Sequence, residues 1–406
     1  MIDDKLLPEG WERVPLRRLL APLSRPVQTN SEIITAYRDG RVTARTNRRT
    51  EGYTMSQQEH GFQGVEPGDL VFHGLDGFAG AVGVSDSSGK CSPVYHVCAA
   101  RMGDVLSFVN YSLRAMSILG YLEAQAGNVR QRAIDFRNWD TFATLEIPRP
   151  PVKAQRRLVD FLDAETARID ALVAKKRRLA KLLEDRWIGE LDLRLTEFGK
   201  RFENGPIHAL CSKVVDCVNK TAPTVADETD YVMLRTSNVS RGAVRLDNVL
   251  HVDAATYALW TRRTPPRRGD VLLTREAPVG NVGILNTDRK VFLGQRLMMY
   301  RADLARSLPN YLLYCLWSPE THRQIDLLGA GSLHEHLRVG DCSKLSIPLA
   351  PRDEQERLVR ELSVYRQRID KATETLAQQI DLLVEHRDAL ITAAVTGQVK
   401  IPGAAA

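Results

Sequence analysis

The sequence predicts an α+β protein in which two globular domains of mixed α/β structure are joined by two long helices. Three observations predict this: a stretch that recurs 200 residues later, a heptad pattern after each copy, and short β-rich runs before each copy. We expect the helices to form an antiparallel coiled coil, and the chain to be a pseudo-twofold internal repeat. The predicted segments are residues 1–150 (first globular domain), 151–199 (central helical region), 200–350 (second globular domain) and 351–400 (C-terminal helical region).

The composition is that of a folded protein. The chain has 406 residues, of which 43% are hydrophobic and 26% charged, and a net charge of +6. This length corresponds to roughly two to three domains at about 100–200 residues each. The mild basic excess is compatible with a polyanionic partner but does not require one.

The spacing of the cysteines and the length of the apolar runs indicate the compartment and the metal content of the protein. None of the 6 cysteines forms a Cys-x-x-Cys pair, so we expect reduced thiols rather than a zinc ribbon or a disulfide framework. The start of the chain does not read as a signal peptide, and there is no window of about 20 apolar residues. We therefore expect a cytoplasmic protein with no membrane partner.

The repeat is clearest where each globular part passes into a helix. Residues 145–162 align without a gap with 345–362, and the match continues through 168–170 and 368–370. Weaker echoes lie upstream, where Gly68-Asp69 resembles Gly269-Asp270. The globular parts have diverged while the helical parts have not. The identical pairs of the main segment are Leu145/Leu345, Ile147/Ile347, Pro148/Pro348, Pro151/Pro351, Gln155/Gln355, Arg157/Arg357, Leu158/Leu358, Val159/Val359 and Leu162/Leu362.

Each helix carries apolar residues at alternating spacings of four and three, the heptad pattern of a coiled coil. A helix of about 40 residues is about 60 Å long and cannot stand alone in water. Its partner is either the other helix, which is the simplest solution, or its own globular domain. The predicted seam consists of Leu158, Leu162, Ile169, Leu172, Leu179 and Leu183 in the first helix, and Leu358, Leu362, Ile369, Leu376, Leu383 and Leu390 in the second.

Polar and basic clusters occupy turn-like positions of both globular halves. Arginine, asparagine and glutamine can make bidentate contacts to base edges, and arginine also holds phosphates. The same residue types are common on ordinary solvated surfaces. The predicted DNA-contacting residues are Arg45, Arg48, Arg49, Arg130 and Arg132 in the first half, and Arg235, Ser237, Asn238, Arg262, Arg263, Arg267, Arg268, Gln295 and Arg296 in the second.

Catalytic and metal-binding patterns are weak. Residues 83–90 have one residue too many for a phosphate loop, and Cys91 stands where a magnesium-binding Ser or Thr is needed. Asp270 with the Asp288-Arg289-Lys290 stretch only loosely fits a nuclease, and His334-Glu335-His336 has no third metal ligand at a suggestive spacing. We predict no catalytic residues and no metal site.

Several segments resemble the type I restriction-modification specificity subunits. The resemblance is specific in the repeated helical segment, which begins Ile147-Pro148 and runs to Arg168-Ile169-Asp170. It extends to the opening Leu7-Pro8-Glu9-Gly10-Trp11 and to the closing stretch at 390–397. In layout it covers the whole chain, although the second copy departs from the pattern at 363–367.

The resemblance implies a non-catalytic subunit that binds double-stranded DNA. The two globular halves would be target-recognition domains, each reading one half of an asymmetric bipartite site, with the coiled coil fixing the spacing. Two methyltransferase subunits would dock on the outer helix faces at 152–195 and 352–395 and bring S-adenosylmethionine. Restriction and translocase subunits would bring ATP and magnesium, and this chain itself would hold no cofactor. The alternatives are a recognition subunit of a related methylation-dependent defence system, a nuclease, and a structural coiled-coil adaptor.

Overall fold

The computed structural model describes residues 7–48, 60–101, 103–125, 135–329 and 336–399. The chain forms two compact units. The first is Met1–Arg177 with Ala377–Ala406, and the second is Arg178–Leu376. Both boundaries fall inside long helices, so each unit combines one globular part with a portion of each helix.

The first unit has a four-stranded antiparallel sheet of order β2-β9-β6-β7, covered by helix α2. The two strands β1 and β10 pair beside it. The strands are β1 (Glu12–Pro15), β2 (Leu20–Pro22), β3 (Ile34–Ala36), β4 (Val42–Ala44), β5 (Gln63–Val65), β6 (Leu70–His73), β7 (Val82–Val84), β8 (Gly89–Cys91), β9 (Tyr95–Ala100) and β10 (Glu146–Arg149). The helices are α1 (Leu16–Leu19), α2 (Leu106–Ile118), α3 (Tyr121–Gln125), α4 (Trp139–Ala143) and the first part of α5 (Val152–Gly199).

The second unit has a six-stranded mixed sheet of order β12-β20-β17-β18-β15-β14. A smaller sheet of order β16-β13-β19 lies in the same unit, and β11 pairs with β21. The strands are β11 (Asn204–Pro206), β12 (Cys211–Asp216), β13 (Tyr231–Leu234), β14 (Val239–Ser240), β15 (Gly242–Val244), β16 (Leu250–His251), β17 (Val271–Arg275), β18 (Val279–Ile284), β19 (Lys290–Leu293), β20 (Leu297–Ala302) and β21 (Ser346–Pro348). The helices are α6 (Ala254–Trp260), α7 (Pro309–Trp317), α8 (Pro319–Gly329), α9 (Val339–Cys342) and the first part of α10 (Arg352–Val395).

A Gly-Asp turn opens the central strand of each main sheet and explains why this dipeptide recurs. Gly68 and Gly269 have φ values of 94° and 89°, which a residue with a side chain rarely adopts. In each turn the aspartate carboxylate accepts a hydrogen bond from the backbone three residues earlier, at 2.8 Å for both Asp69 and Asp270. Asp270 also pairs with Arg301 at 2.8 and 2.7 Å. Both oxygens of Asp270 are thus engaged, by the backbone of the turn and by Arg301 on β20, which argues against a nuclease role.

A buried glutamine near the start of each long helix forms hydrogen bonds to the globular part that precedes the helix. Gln155 accepts a hydrogen bond from the backbone of Val105 (2.9 Å) and donates to the carbonyl of Pro150 (3.0 Å). Gln355 does the same with Leu308 (3.1 Å) and the carbonyl of Ala350 (2.8 Å). The identity of this residue in the two repeats therefore has a structural cause.

The two long helices run antiparallel where they meet inside each unit. In the first unit, Asp170 pairs with Arg387 (3.0 Å) and Lys176 with Gln379 (2.6 Å). In the second, Glu184 pairs with Arg366 at 2.9 Å. Residue numbers rise along α5 as they fall along α10, as an antiparallel pair requires. The helices also pack on their own globular parts, because Leu158 and Leu162 belong to the same core as Phe108. Both of the packing solutions considered from the sequence therefore occur.

The predicted seam needs a correction in the first helix. Leu172 is 39% exposed and Leu179 is 47% exposed, whereas Val173 is 6% exposed. After Ile169 the seam positions follow at spacings of four and then three residues, whereas spacings of three and then four were predicted. Leu172 and Leu179 were therefore placed one residue too early. The other predicted seam residues are buried or half-buried: Leu158, Leu162, Ile169, Leu183, Leu358, Leu362, Ile369, Leu376, Leu383 and Leu390.

Candidate nucleic-acid interface

A polar groove of about 650 Å³ lies at the carboxyl end of β6 in the first unit. His73 ends β6 and Tyr95 begins the neighbouring strand β9, with their rings 4.6 Å apart. The β3–β4 hairpin supplies the opposite wall. Residues lining the groove include Tyr37, Arg38, Asp39, Arg45, Arg48, His73, Asp76 and Tyr95. A single strand end thus gathers cationic, acidic and aromatic side chains.

The charged groups of this groove are paired with one another. Arg48 contacts both oxygens of Asp39 (2.7 and 3.2 Å), and its guanidinium lies 4.2 Å from the centre of the Tyr37 ring. Burial raises the pKa of Asp39, but hydrogen bonds from Arg48 and the backbone of Arg41 outweigh it and leave the pKa below its ordinary value. Asp39 therefore stays ionised and keeps Arg48 oriented.

The groove contains two of the five predicted DNA-contacting residues of the first half. Arg45 and Arg48 both line it. Arg49, Arg130 and Arg132 lie outside the described residues. Sequence reasoning missed Arg38, which is 65% exposed along its side chain and pairs with Asp76 at 2.9 Å.

The second unit carries a comparable cluster at the carboxyl end of β17. Glu276 follows this strand and accepts from Arg296 (3.0 Å) with one oxygen and from His336 (2.5 Å) with the other. The hydroxyl of Thr236 donates to the carbonyl of Ala277 at 3.1 Å. These contacts bring together the loops that follow β13, β17 and β19.

Several predicted residues of the second half lie at this strand end. Gln295 and Arg296 are exposed in the loop before β20, and Ser237 is exposed in the loop after β13. Arg263 is ion-paired with Asp216, the last residue of β12. Because Asp216 pairs with Met298 at the start of β20, Arg263 belongs to the same end of the sheet. Arg262 beside it is exposed.

Asn238 was predicted to contact DNA, and its position shows that this prediction was wrong. The residue is only 3% exposed. Its side-chain oxygen accepts from the backbone of Arg235 (2.8 Å), and its amide donates to the carbonyl of Asp247 (3.0 Å). A buried amide with these bonds holds the loop together and cannot reach a base. Arg235 is also constrained, because its guanidinium donates to the carbonyl of Asn248 at 2.6 Å.

Arg267 and Arg268 are exposed but lie at the opposite end of the sheet from Arg296. They precede Val271, where β17 begins, whereas Arg296 adjoins its last residue, Arg275. Arg268 pairs there with Asp288 at 2.7 Å. The five residues of β17 span about 13 Å at 3.3 Å per residue, so the predicted arginines do not form one surface.

Neither a metal centre nor a membrane span is found in the part of the chain that the structure describes. Within 7–48, 60–101, 103–125, 135–329 and 336–399, no three His, Cys, Asp or Glu side chains are grouped to hold a metal ion. His334 and Glu335, from the weak metal pattern, lie outside these residues. The helices in the same ranges include none with the length and apolarity needed to cross a bilayer.

Comparison with known proteins gives one match in sequence. No family model matches the chain. The specificity subunit of the type I restriction enzyme EcoBI from Escherichia coli is 20% identical over 292 residues, covering 66% of this chain and 61% of the relative. The matched region is therefore less than two thirds of that relative's length.

Comparison with solved structures extends the likeness to the fold. A chain from a study of complex assembly and conformational transition of the type I R-M system superposes with a TM-score of 0.59, at 18% identity, covering 97% of this chain and 99% of the other. The HsdS subunit from Thermoanaerobacter tengcongensis matches at a TM-score of 0.41 and 19% identity, covering 97% and 98% of the two chains.

These matches bear on the resemblance that the helical repeats carry. The sequence match is to a specificity subunit, and the matching fold belongs to a chain of a type I system. The resemblance to the specificity subunits of type I restriction-modification systems, first seen in the helical repeats, is thus confirmed in sequence and in fold.

Proposed function

We propose that this chain is the DNA-reading specificity subunit of a type I restriction-modification complex. The observation that carries the proposal is the sequence match to a specificity subunit. The fold similarity to a chain of a type I system, which covers 97% of this chain, supports it. The strand-end clusters supply the side chains that base readout needs, including exposed arginines beside carboxylates.

The division into two units supports a bipartite target. Each unit has its own sheet and its own polar cluster at one end of that sheet. The residues of the clusters differ, so the two half-sites would differ and the target would be asymmetric. We infer that the units are copies of one plan with pseudo-twofold symmetry, and that the helix length sets the spacing between half-sites.

The outer faces of the long helices, at 152–195 and 352–395, are the proposed docking surface for two methyltransferase subunits. These faces expose large apolar side chains, which are costly to leave in water as a patch. They include Leu172, Leu179, Leu182, Leu193, Val364 and Leu382, which are between 39% and 64% exposed. The methyltransferase would supply S-adenosylmethionine, and restriction and translocase subunits would supply ATP and magnesium chemistry. This chain would position them on DNA without catalysing a step.

Single-molecule methylome sequencing of the host, with and without this gene, tests the proposal. We expect an asymmetric, split, adenine-methylated motif to disappear when the gene is deleted. Replacing residues 205–345 with the second domain of another specificity subunit should then change one half of that motif. If the deletion leaves every methylated motif in place, the proposed function is wrong.

A further inference from the structure

Asp76 and Glu276 occupy matching places in the two units. Each lies in the loop of the hairpin formed by the central strand and its neighbour, β6–β7 in one unit and β17–β18 in the other. Each is followed four residues later by a glycine with positive φ, Gly80 at 92° and Gly280 at 88°. The carboxylates are therefore presented by corresponding hairpin loops at the corresponding end of each sheet, although the β6–β7 loop is longer than the β17–β18 loop.

Each carboxylate holds an arginine, and the two arginines come from different parts of the fold. Arg38 lies in the β3–β4 hairpin and pairs with Asp76 at 2.9 Å. Arg296 lies between β19 and β20 and pairs with Glu276 at 3.0 Å. The offset of 200 residues relates the acids but not the arginines. The same pair has thus been assembled from unrelated segments, which points to a shared task rather than to shared ancestry alone.

Stability does not explain these pairs. The side chains of Arg38 and Asp76 are 65% and 42% exposed, and those of Arg296 and Glu276 are 49% and 28% exposed. Ion pairs in contact with water add little to stability. The backbone at the second pair is also strained. Arg296 has a φ of 70°, and Ala277, which follows Glu276, has a φ of 49°. Strain of this kind concentrates at functional sites.

The chemistry of an arginine beside a carboxylate matches one base pair. A guanidinium donates two hydrogen bonds to the O6 and N7 acceptors of guanine, and a carboxylate accepts from the N4 amino group of cytosine. In a G·C pair these groups lie side by side on the major-groove edge. We propose that Arg38–Asp76 and Arg296–Glu276 each read one G·C pair, one in each half-site. This inference rests on the proposed function, which it deepens.

The carboxylate in each pair has a second consequence. It repels backbone phosphates and occupies the arginine in the absence of the correct base pair. Glu276 is itself held by His336, so its orientation does not depend on Arg296 alone. Non-specific binding is therefore suppressed at the residue that gives specificity.

The test uses the full-length chain and a duplex that carries its methylated motif, with each guanine replaced in turn by deazaguanine, which lacks the N7 acceptor. Fluorescence anisotropy gives the affinity. We expect one guanine in each half-site at which the replacement weakens wild-type binding, by about 5- to 100-fold if the contact is bidentate. Arg296→Ala should abolish sensitivity at one of these guanines, and Arg38→Ala at the other.

Two further variants separate readout from general charge. Arg296→Lys keeps the charge but loses the planar fork, so it should lose the guanine sensitivity as Arg296→Ala does. Glu276→Gln should bind unrelated duplexes about 3- to 10-fold more tightly, because a charge that repels phosphate is removed. Arg268→Ala is the matched control: it removes an exposed, ion-paired arginine from the opposite end of the same sheet, and guanine sensitivity should persist.

The outcomes distinguish this inference from the proposed function. If a methylated motif depends on the gene but deazaguanine effects are the same in wild type, Arg38→Ala and Arg296→Ala, the function stands and the base-reading pairs are wrong. If Arg268→Ala abolishes a guanine effect, the reading surface lies at the other end of the sheet. If no motif depends on the gene, both proposals fail together.

Discussion

The two units make the same hydrogen-bonding contact where a long helix joins its globular part. They make different contacts where the two helices meet. The glutamine at 155 and 355 makes the same backbone contacts in both units. At the helix–helix contact, Trp187 of the second unit is fully buried, whereas the residue 200 positions later, Arg387, lies in a charged cluster of the first unit. The junction is therefore constrained by backbone hydrogen bonding, whereas the helix pair needs only some form of complementary packing.

The second unit's cluster is aromatic. Trp187 lies 5.7 Å from Tyr314, 5.5 Å from Trp317 and 6.3 Å from Tyr365, measured between ring centroids. The guanidinium of Arg366 lies 5.0 Å from the Trp317 ring. Burial of these rings is a large hydrophobic contribution, and the cation adds to it.

The first unit's cluster is polar. Arg387 pairs with Asp170 (3.0 Å) and Asp388 (3.3 Å). Tyr111 donates to Asp163 on α5 at 2.6 Å. Burial lowers the pKa of the nearby Arg114, and the positive charge of Arg387 lowers it further. The second unit also has a half-buried ion pair, Arg366–Glu184, but adds packed rings to it, so the first unit should have the weaker helix contact.

The largest expected effect is from Trp187→Ala. Removing a fully buried indole should lower the free energy of unfolding of the second unit by about 3–5 kcal/mol. Trp187→Phe should lower the free energy of unfolding by less than Trp187→Ala does. The indole Nε1 has no hydrogen-bond partner among the described residues, so its removal leaves no other polar group unsatisfied. Urea unfolding followed by circular dichroism measures both. Leu193→Ala, at a 53% exposed position of the same helix, is the control and should change stability by less than about 0.5 kcal/mol.

Substitution of the junction glutamines, Gln155 and Gln355, should have the next largest effect on stability. Gln155→Ala and Gln355→Ala each leave buried backbone groups without a partner, which should cost about 2–4 kcal/mol. Gln155→Ala should cost more, because the remaining amide hydrogen bond of Gln155 goes to the buried carboxylate of Asp104 (2.7 Å), whereas that of Gln355 goes to the neutral carbonyl of Arg306 (2.9 Å). Thermal unfolding of the two variants, with the exposed Gln378→Ala as control, checks the order. A smaller loss for Gln155→Ala would contradict the role given to Asp104.

The corrected seam register predicts a smaller difference. Val173→Ala should lower stability by about 1–2 kcal/mol, because it removes buried methyl groups. Leu172→Ala, one residue away and 39% exposed, should be within about 0.5 kcal/mol of the wild type. Equal losses in urea unfolding would favour the register predicted from the sequence.

Mild acid should weaken the first unit. Burial lowers the pKa of His73 and of His96 below the ordinary value of 6.5. The unfolded chain then binds more protons as the pH falls, so this stabilisation is complete above about pH 6.5 and is lost as the pH falls through the lowered pKa values. The Nδ1 atom of His73 accepts from the backbone of Leu75 and Asp76, so its protonation also breaks these bonds.

Unfolding midpoints between pH 8 and pH 5 measure this effect. His96→Phe removes one titrating group while keeping a ring stacked on Phe142, so the midpoint should fall less steeply with acid in this variant. An unchanged slope would show that His96 titrates normally in the folded state.

The sequence was sufficient for features set by local pattern. The alternation of apolar residues predicted both long helices, because a helix of this length needs a continuous apolar stripe. The repeat located the junctions at which Gln155 and Gln355 act. The Gly-Asp dipeptides marked turns because only glycine is comfortable at the φ values found there.

Tertiary structure decided what depends on segments meeting across the fold. Asn238 looked like a base-reading residue, but its loop folds over its own amide. Arg267 and Arg296 looked equivalent, but β17 separates them. Leu172 and Val173 are neighbours that both satisfy an apolar stripe, and only the facing helix selects one of them. Sequence pattern therefore determined which residues are apolar, charged or able to turn. Long-range packing determined which of them share a surface, because strand pairing and helix register are fixed by contacts far apart in the chain.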